Sequence, residues 1–161
     1  MNIFSRGYYT RKVRKKAVEA GTDLQVNYKS TINKNTHLGN NVNFNGMSIR
    51  GGGSVTIGDN FHSGTDCLIM TENHNYDDGD AIPYDDTYIH KDVTIDDNVW
   101  LGSRVTILPG ITIEEGAIIQ AGSTVTSDIP KGAIAGGHPA EVFDKRDMEH
   151  YERHEKEGNF H

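Results

Sequence analysis

The sequence predicts an all-β solenoid, a parallel β-helix with a projecting loop and short helical termini. Three observations carry this. Ile89, Ile95, Leu101, Ile107, Ile113, Ile119 and Val125 recur at intervals of six, which neither an α-helix nor an amphipathic strand keeps. A second series runs four residues behind the first: Val93, Val99, Val105, Ile111, Ala117, Ser123 and Ile129. A glycine or acidic residue often follows the leading aliphatic, as at Asp96, Gly102 and Glu114. A six-residue repeat of this kind marks a stacked solenoid. Three hexapeptides make one triangular coil of about 18 residues, and coils stack at about 4.8 Å, the spacing of hydrogen-bonded strands.

Residues 1–24 lack the repeat. Arg11, Lys12, Arg14, Lys15 and Lys16 form a basic cluster on a helix predicted to end near Gly21. A solvated helix face is the ordinary reading of such a run. Contact with an anionic membrane surface or an acidic carrier is the sharper one. The repeat opens around Val26 and steps through Ile32, Leu38 and Phe44. The count slips by one across Arg50-Gly51-Gly52-Gly53, where an extra residue must bulge outward and glycine tolerates the backbone angles. Ile57 restarts it through Ser63 to Ile69.

Residues 75–88 interrupt the count, a polar, turn-rich segment with Asp77, Asp78, Gly79, Asp80, Pro83, Asp85 and Asp86. A long loop on a rigid scaffold is usually functional or disordered. Ile89 resumes the pattern, which closes after Val125, with Pro130 ending the last strand. The predicted organisation is a non-repeat segment 1–24, a β-helix domain 25–140 with loop 75–88 inserted, and a charged helix or arm 141–161. Cys67 falls in the second series and reads as a small buried apolar residue, not a nucleophile.

Composition excludes several classes. At 161 residues, with no linker-like stretch, the chain is one domain's worth. A hydrophobic content of 35% suits a thin prism with a narrow core. A net charge of −7 argues against nucleic acid as the main partner. No segment approaches transmembrane length, and no apolar signal-peptide core follows Met1. The single cysteine suits a reducing compartment, so the expected location is cytoplasmic.

The run Val93-Thr94-Ile95-Asp96-Asp97-Asn98-Val99-Trp100-Leu101-Gly102, continuing into Ile107-Leu108-Pro109-Gly110-Ile111-Thr112-Ile113, resembles the hexapeptide-repeat acyltransferases. Among these it is similar to the galactoside, maltose and nodulation-type O-acetyltransferases and their polysaccharide-biosynthesis relatives. The closing run from Ala121 to Pro130, then Gly136-Gly137-His138-Pro139-Ala140, is similar to that family's C-terminal signature. The resemblance implies a left-handed β-helix, a homotrimer with active sites between subunits, acetyl-CoA as acetyl donor, and a sugar or glycan-precursor acceptor. It implies no metal.

The resemblance also assigns residues. His74, where repeat gives way to loop, matches the family's general base; an imidazole accepts a hydroxyl proton at neutral pH. Asn45 matches an asparagine that holds the acceptor and polarises the reacting carbonyl, and equally reads as a corner cap. Neighbouring Asn43 makes that match ambiguous. Trp100, the only tryptophan, is implied to flank the coenzyme and acceptor pocket. Ser103, Ala121 and Thr126 match the positions that hold the pantetheine arm. The sequence departs from the pattern at Ser127 and Glu141, where the galactoside type has lysine and arginine. Lys145, with Arg146 and Lys131 as further candidates, is expected to meet the nucleotide phosphates instead.

Counting hexads places His74 and Trp100 at different corners, which predicts that one cleft uses them only if neighbouring chains supply one each. Other readings stay open: N-acetylation of an amino sugar, a silent scaffold, or a zinc hydrase using His62, His74 and His90. His150 and His154, four apart, lack the partners of a zinc motif.

Overall fold

The computed structural model describes residues 3–161, with side chains from Ser5 onward. The chain winds as a three-faced parallel solenoid of about six turns. Face one stacks Glu19–Ala20, Thr36–Leu38, Val55–Ile57, Val93–Ile95 and Thr112–Ile113. Face two stacks Gln25–Tyr28, Asn43–Asn45, His62–Thr65, Trp100–Leu101, Ile118–Ile119 and Ala133–Gly137. Face three stacks Ser48–Arg50, Leu68–Met70, Thr106–Ile107 and Thr124–Val125.

The hexad series point inward as its period requires. Leu38, Ile57, Ile95 and Ile113 form one internal column, and Ile69, Ile107 and Val125 another; all are buried. Each fully buried aliphatic contributes about 1.5–3 kcal/mol. Phe44 and Phe61, both 0% exposed, meet edge to face at 6.0 Å between centroids. Polar residues in inward positions are paired: Thr36 Oγ1 donates to Asn33 Oδ1 at 2.8 Å, and Ser123 Oγ to Gln120 O at 2.7 Å. Cys67 is buried, which pushes its thiol pKa up.

Corners need a left-handed residue, and asparagine supplies it along the edge between faces one and two. Asn41, Asn60 and Asn98 have φ of 53°, 55° and 61°. Their amides form a ladder: Asn41 Nδ2 donates to Asn60 Oδ1 at 3.0 Å, and Asn60 Nδ2 to Asn98 Oδ1 at 2.9 Å.

Four features differ from the sequence expectation. The first helix, α1 (Ile3–Lys16), stops before Gly21 because the ladder claims the following chain: Val18 N donates to Thr36 O at 2.9 Å, and Glu19 pairs with His37. The solenoid therefore opens at Glu19, ahead of Val26. The glycine slip does occur, since Leu38 aligns with Ile57, 19 residues on.

Ile89 lies outside the prism despite keeping the six-residue count. Ile57 pairs with Ile95, 38 residues on, where the next coil needs only 18 (Ile95 with Ile113), so residues 72–91 leave the ladder. They form an antiparallel ribbon in which Glu72–His74 pairs with Tyr88–His90, and Ile89 faces Asn73 across it. Gly52 accommodates the ribbon's base: a Cβ there would stand 2.6 Å from the His90 ring.

The tail does form a helix, but a strand precedes it. Ala140–Lys145 returns antiparallel onto Ala133–Gly137, extending face two. The second helix, α2 (Met148–Lys156), then packs on the edge between faces one and two. Tyr151 Oη anchors it, accepting from Asn98 Nδ2 at 2.8 Å and donating to Glu115 Oε1 at 2.9 Å.

Candidate active site

His74 ends the outgoing strand of the ribbon, just beyond the edge between faces three and one. Its ring stacks on Tyr84 (centroids 3.8 Å apart, planes at 15°) and leans on Tyr88 at 4.7 Å. Nδ1 is buried without a hydrogen-bond partner, so Nε2 is the nitrogen open to an incoming group. The loop is stitched rather than slack. Asp85 accepts from Thr87 N at 2.8 Å, from Thr87 Oγ1 and from Asp80 N at 3.1 Å, and these bonds hold its carboxyl below the usual range. Asn75 N donates to Thr87 O at 3.1 Å, closing the neck.

Three predicted residues share the edge between faces two and three. Asn45 pairs with Thr65, whose N–H donates to Ser103 Oγ at 3.1 Å, and Gly122 N donates to Ser103 O at 2.8 Å beside exposed Ala121. Asn45 is already engaged: Nδ2 donates to Ser63 O at 2.7 Å, and Oδ1 accepts from Asn27 Nδ2 at 2.9 Å. Its amide is thus a fixed corner element.

The remaining predicted residues lie apart. Thr126 is exposed after face three, on the edge His74 overhangs. Trp100, 53% exposed, stands outward on face two beside His62. It lines a groove of about 530 Å³ with His62, Arg146, Tyr151, His154 and Phe160. His74 does not reach this groove. Lys145 pairs with Ala133 where face two begins, at yet another corner.

The two other basic candidates are occupied. Arg146 Nε donates to Gly116 O at 2.6 Å, with its guanidinium 5.4 Å from the Tyr151 ring centre. Lys131 Nζ meets Glu115 at 3.0 Å. Among the described residues of one chain, no group of three or more His, Cys, Asp or Glu is placed to hold a metal ion.

Sequence reasoning missed Tyr84, Tyr88 and Arg104. The tyrosines reach His74 only through the ribbon's folding, which no period encodes. Arg104 follows Ser103 with φ of 58°, a conformation costly for a residue with a Cβ. Its side chain is exposed on the Ser103–Ala121 edge and unpaired among the described residues. A basic residue next to a matched position was the available signal.

The family model "Bacterial transferase hexapeptide (six repeats)" matches residues 92–127. Galactoside O-acetyltransferase of Escherichia coli (strain K12) is 36% identical over 122 residues, 73% of this chain and 59% of that protein. The chain thus spans little more than half of that relative, and less than half of others it matches. A galactoside acetyltransferase solved in complex with coenzyme A superposes with a TM-score of 0.74 at 30% identity, covering 86% of this chain and 70% of that one. A maltose O-acetyltransferase from Clostridium difficile 630 gives 0.67 at 28% identity, covering 90% of this chain and 88% of that one. The solenoid is the left-handed parallel β-helix of these proteins.

Proposed function

This chain belongs to the hexapeptide-repeat acetyltransferases, and from that premise we propose that it moves acetyl from acetyl-CoA to a hydroxyl of a sugar or polysaccharide precursor in the cytoplasm. The observation that carries the reading is His74: an imidazole clamped between two tyrosines with one nitrogen buried and the other open. Nε2 takes the hydroxyl proton as the oxygen attacks the thioester carbonyl. Collapse of the tetrahedral adduct releases the coenzyme thiolate, which recovers the proton from the imidazolium. No covalent enzyme intermediate is required.

Ser103 and Ala121 supply an edge for the pantetheine arm, and Asn45 a rigid wall on the same edge. Thr126 lies on the edge His74 overhangs, two coils further along. Arg104 on the Ser103–Ala121 edge, and Lys145 from its separate corner, are proposed for the nucleotide phosphates. The site is completed by a neighbouring copy in a cyclic trimer, one chain giving His74 and the next Trp100. Support comes from apolar surface that one chain leaves bare: Ile82 is 95% exposed at the ribbon tip, and Tyr84, Tyr88 and Trp100 are about half exposed.

The test is thiol release from acetyl-CoA over a panel of sugars. Release with wild type, cut about 10²–10⁴-fold in His74→Ala, supports the reading; no release with any sugar, or an unchanged His74→Ala, overturns it. Amino sugars in the same panel separate N- from O-transfer. Activity regained on co-assembling His74→Ala with Trp100→Ala supports the shared site, and none regained refutes it. Arg104→Gln is expected to raise KM for acetyl-CoA with kcat little changed.

A further inference from the structure

Residues 1–18 hold six of the chain's 16 basic residues and none of its 23 acidic ones, so the remainder carries a net −13 against −7 for the whole. The six cations belong to α1, whose place in the fold decides where they point. α1 caps the open first coil. Val13 is 2% exposed, Tyr9 and Ala17 pack against the core, and Thr10 Oγ1 accepts the Val26 N–H at 3.0 Å in place of a missing strand. Repeat folds need such a cap. With that face committed, Tyr8, Arg11, Lys12 and Lys15 fall at i, i+3, i+4 and i+7, one exposed stripe on the opposite side. Arg14 and Lys16 flank it, and none of these cations enters an ion pair among the described residues.

We propose that this stripe docks the protein on an anionic phospholipid surface. Clusters of four to eight lysines and arginines on one helix suit acidic lipid. Tyr8, 63% exposed among them, has the apolar ring and polar tip of a side chain that sits at headgroup level. The geometry favours a plane over a flexible polyanion. The cations occupy one end of the prism, so a flat surface meets them first, while all the acidic residues, beginning with Glu19 and Asp23 in the first coil, follow the helix along the solenoid. A nucleic acid long enough to follow the flanks meets net negative charge instead. Val13 is spent on the cap and no apolar stripe remains, so the contact is electrostatic adsorption rather than insertion. It is reversible and salt-sensitive, and it is independent of the transfer chemistry.

The test uses the full chain in flotation with vesicles of phosphatidylcholine alone or with about one third phosphatidylserine. Binding to the mixed vesicles only, lost in high salt, is the expected result. The triple variant Arg11→Gln, Lys12→Gln, Lys15→Gln should bind about 100-fold more weakly, at roughly fivefold per cation. Its circular dichroism and acetyl transfer to a soluble sugar should stay unchanged, which separates this claim from the catalytic one. Equal partition into both vesicle types, unaltered binding by the triple variant, or capture by RNA without vesicle binding would each overturn it.

Discussion

Gly64→Ala tests whether coil stacking holds the proposed site together. Gly64 lies on face two at the edge shared by Asn45 and Ser103. A Cβ there would stand 2.4 Å from Ser103 N and 2.7 Å from both Gly102 C and Ser103 Cα. All three are backbone atoms of the next coil, so no rotamer relieves the clash; the coils must separate by about 1 Å to reach ordinary contact. The bonds pinning them are Arg104 N to Thr65 O at 2.7 Å, Thr65 N to Ser103 Oγ at 3.1 Å and Leu68 N to Val105 O at 2.9 Å. Weakening two of these at about 1 kcal/mol each, plus an overpacking cost of about 1–3 kcal/mol, gives a loss of about 3–5 kcal/mol. Urea denaturation followed by circular dichroism reads it directly. The same displacement moves Ser103 and Arg104, so KM for acetyl-CoA should rise in the protein that still folds. A loss below about 1 kcal/mol with KM unchanged would refute the view that close backbone stacking sets this edge.

Other expectations follow from single contacts. Gly7→Ala, in α1 with nothing within 4 Å of the added Cβ, should stabilise by about 0.8–1 kcal/mol; a lower urea midpoint would contradict the assigned helix. His62 has its pKa lowered, first by burial and then by nearby His161. The unfolded chain therefore binds the proton first, and stability present above pH 6.5 is lost as pH falls below it. Thermal melts at pH 7.5 and 5.5 should show a drop that His62→Gln reduces; an equal drop in both proteins would exclude His62 as its source. Tyr84→Ala should lower kcat about tenfold by freeing the His74 ring, whereas Tyr84→Phe keeps the stack and most of the rate. Equal losses in the two would assign the effect to the phenol instead.

The solenoid was legible because its cause is local and repetitive. A three-faced coil turns one residue in six, and another four behind it, toward the axis, so Ile95, Leu101, Ile107 and Ile113 write the fold into the chain. The slip at Gly51–Gly53 was legible for the same reason: a broken period beside residues that permit a bulge. His74 stands out as a candidate through a family resemblance at the point where the period fails, and its role is proposed from that and from its ring contacts.

The ribbon was not, because pairing Glu72–His74 with Tyr88–His90 is a choice of partner, and Ile89 keeps the count while facing Asn73 instead of the core. Only tertiary structure set Tyr84 and Tyr88 against His74, since ring stacking depends on how the loop closes. It alone folded Ala140–Lys145 back onto face two and anchored α2 through Tyr151. It also committed Val13 to the cap and so turned Arg11, Lys12 and Lys15 outward. A six-residue period records which side chains face inward along each coil; the contacts between segments that leave the coil are recorded in no period, and three-dimensional packing decides them.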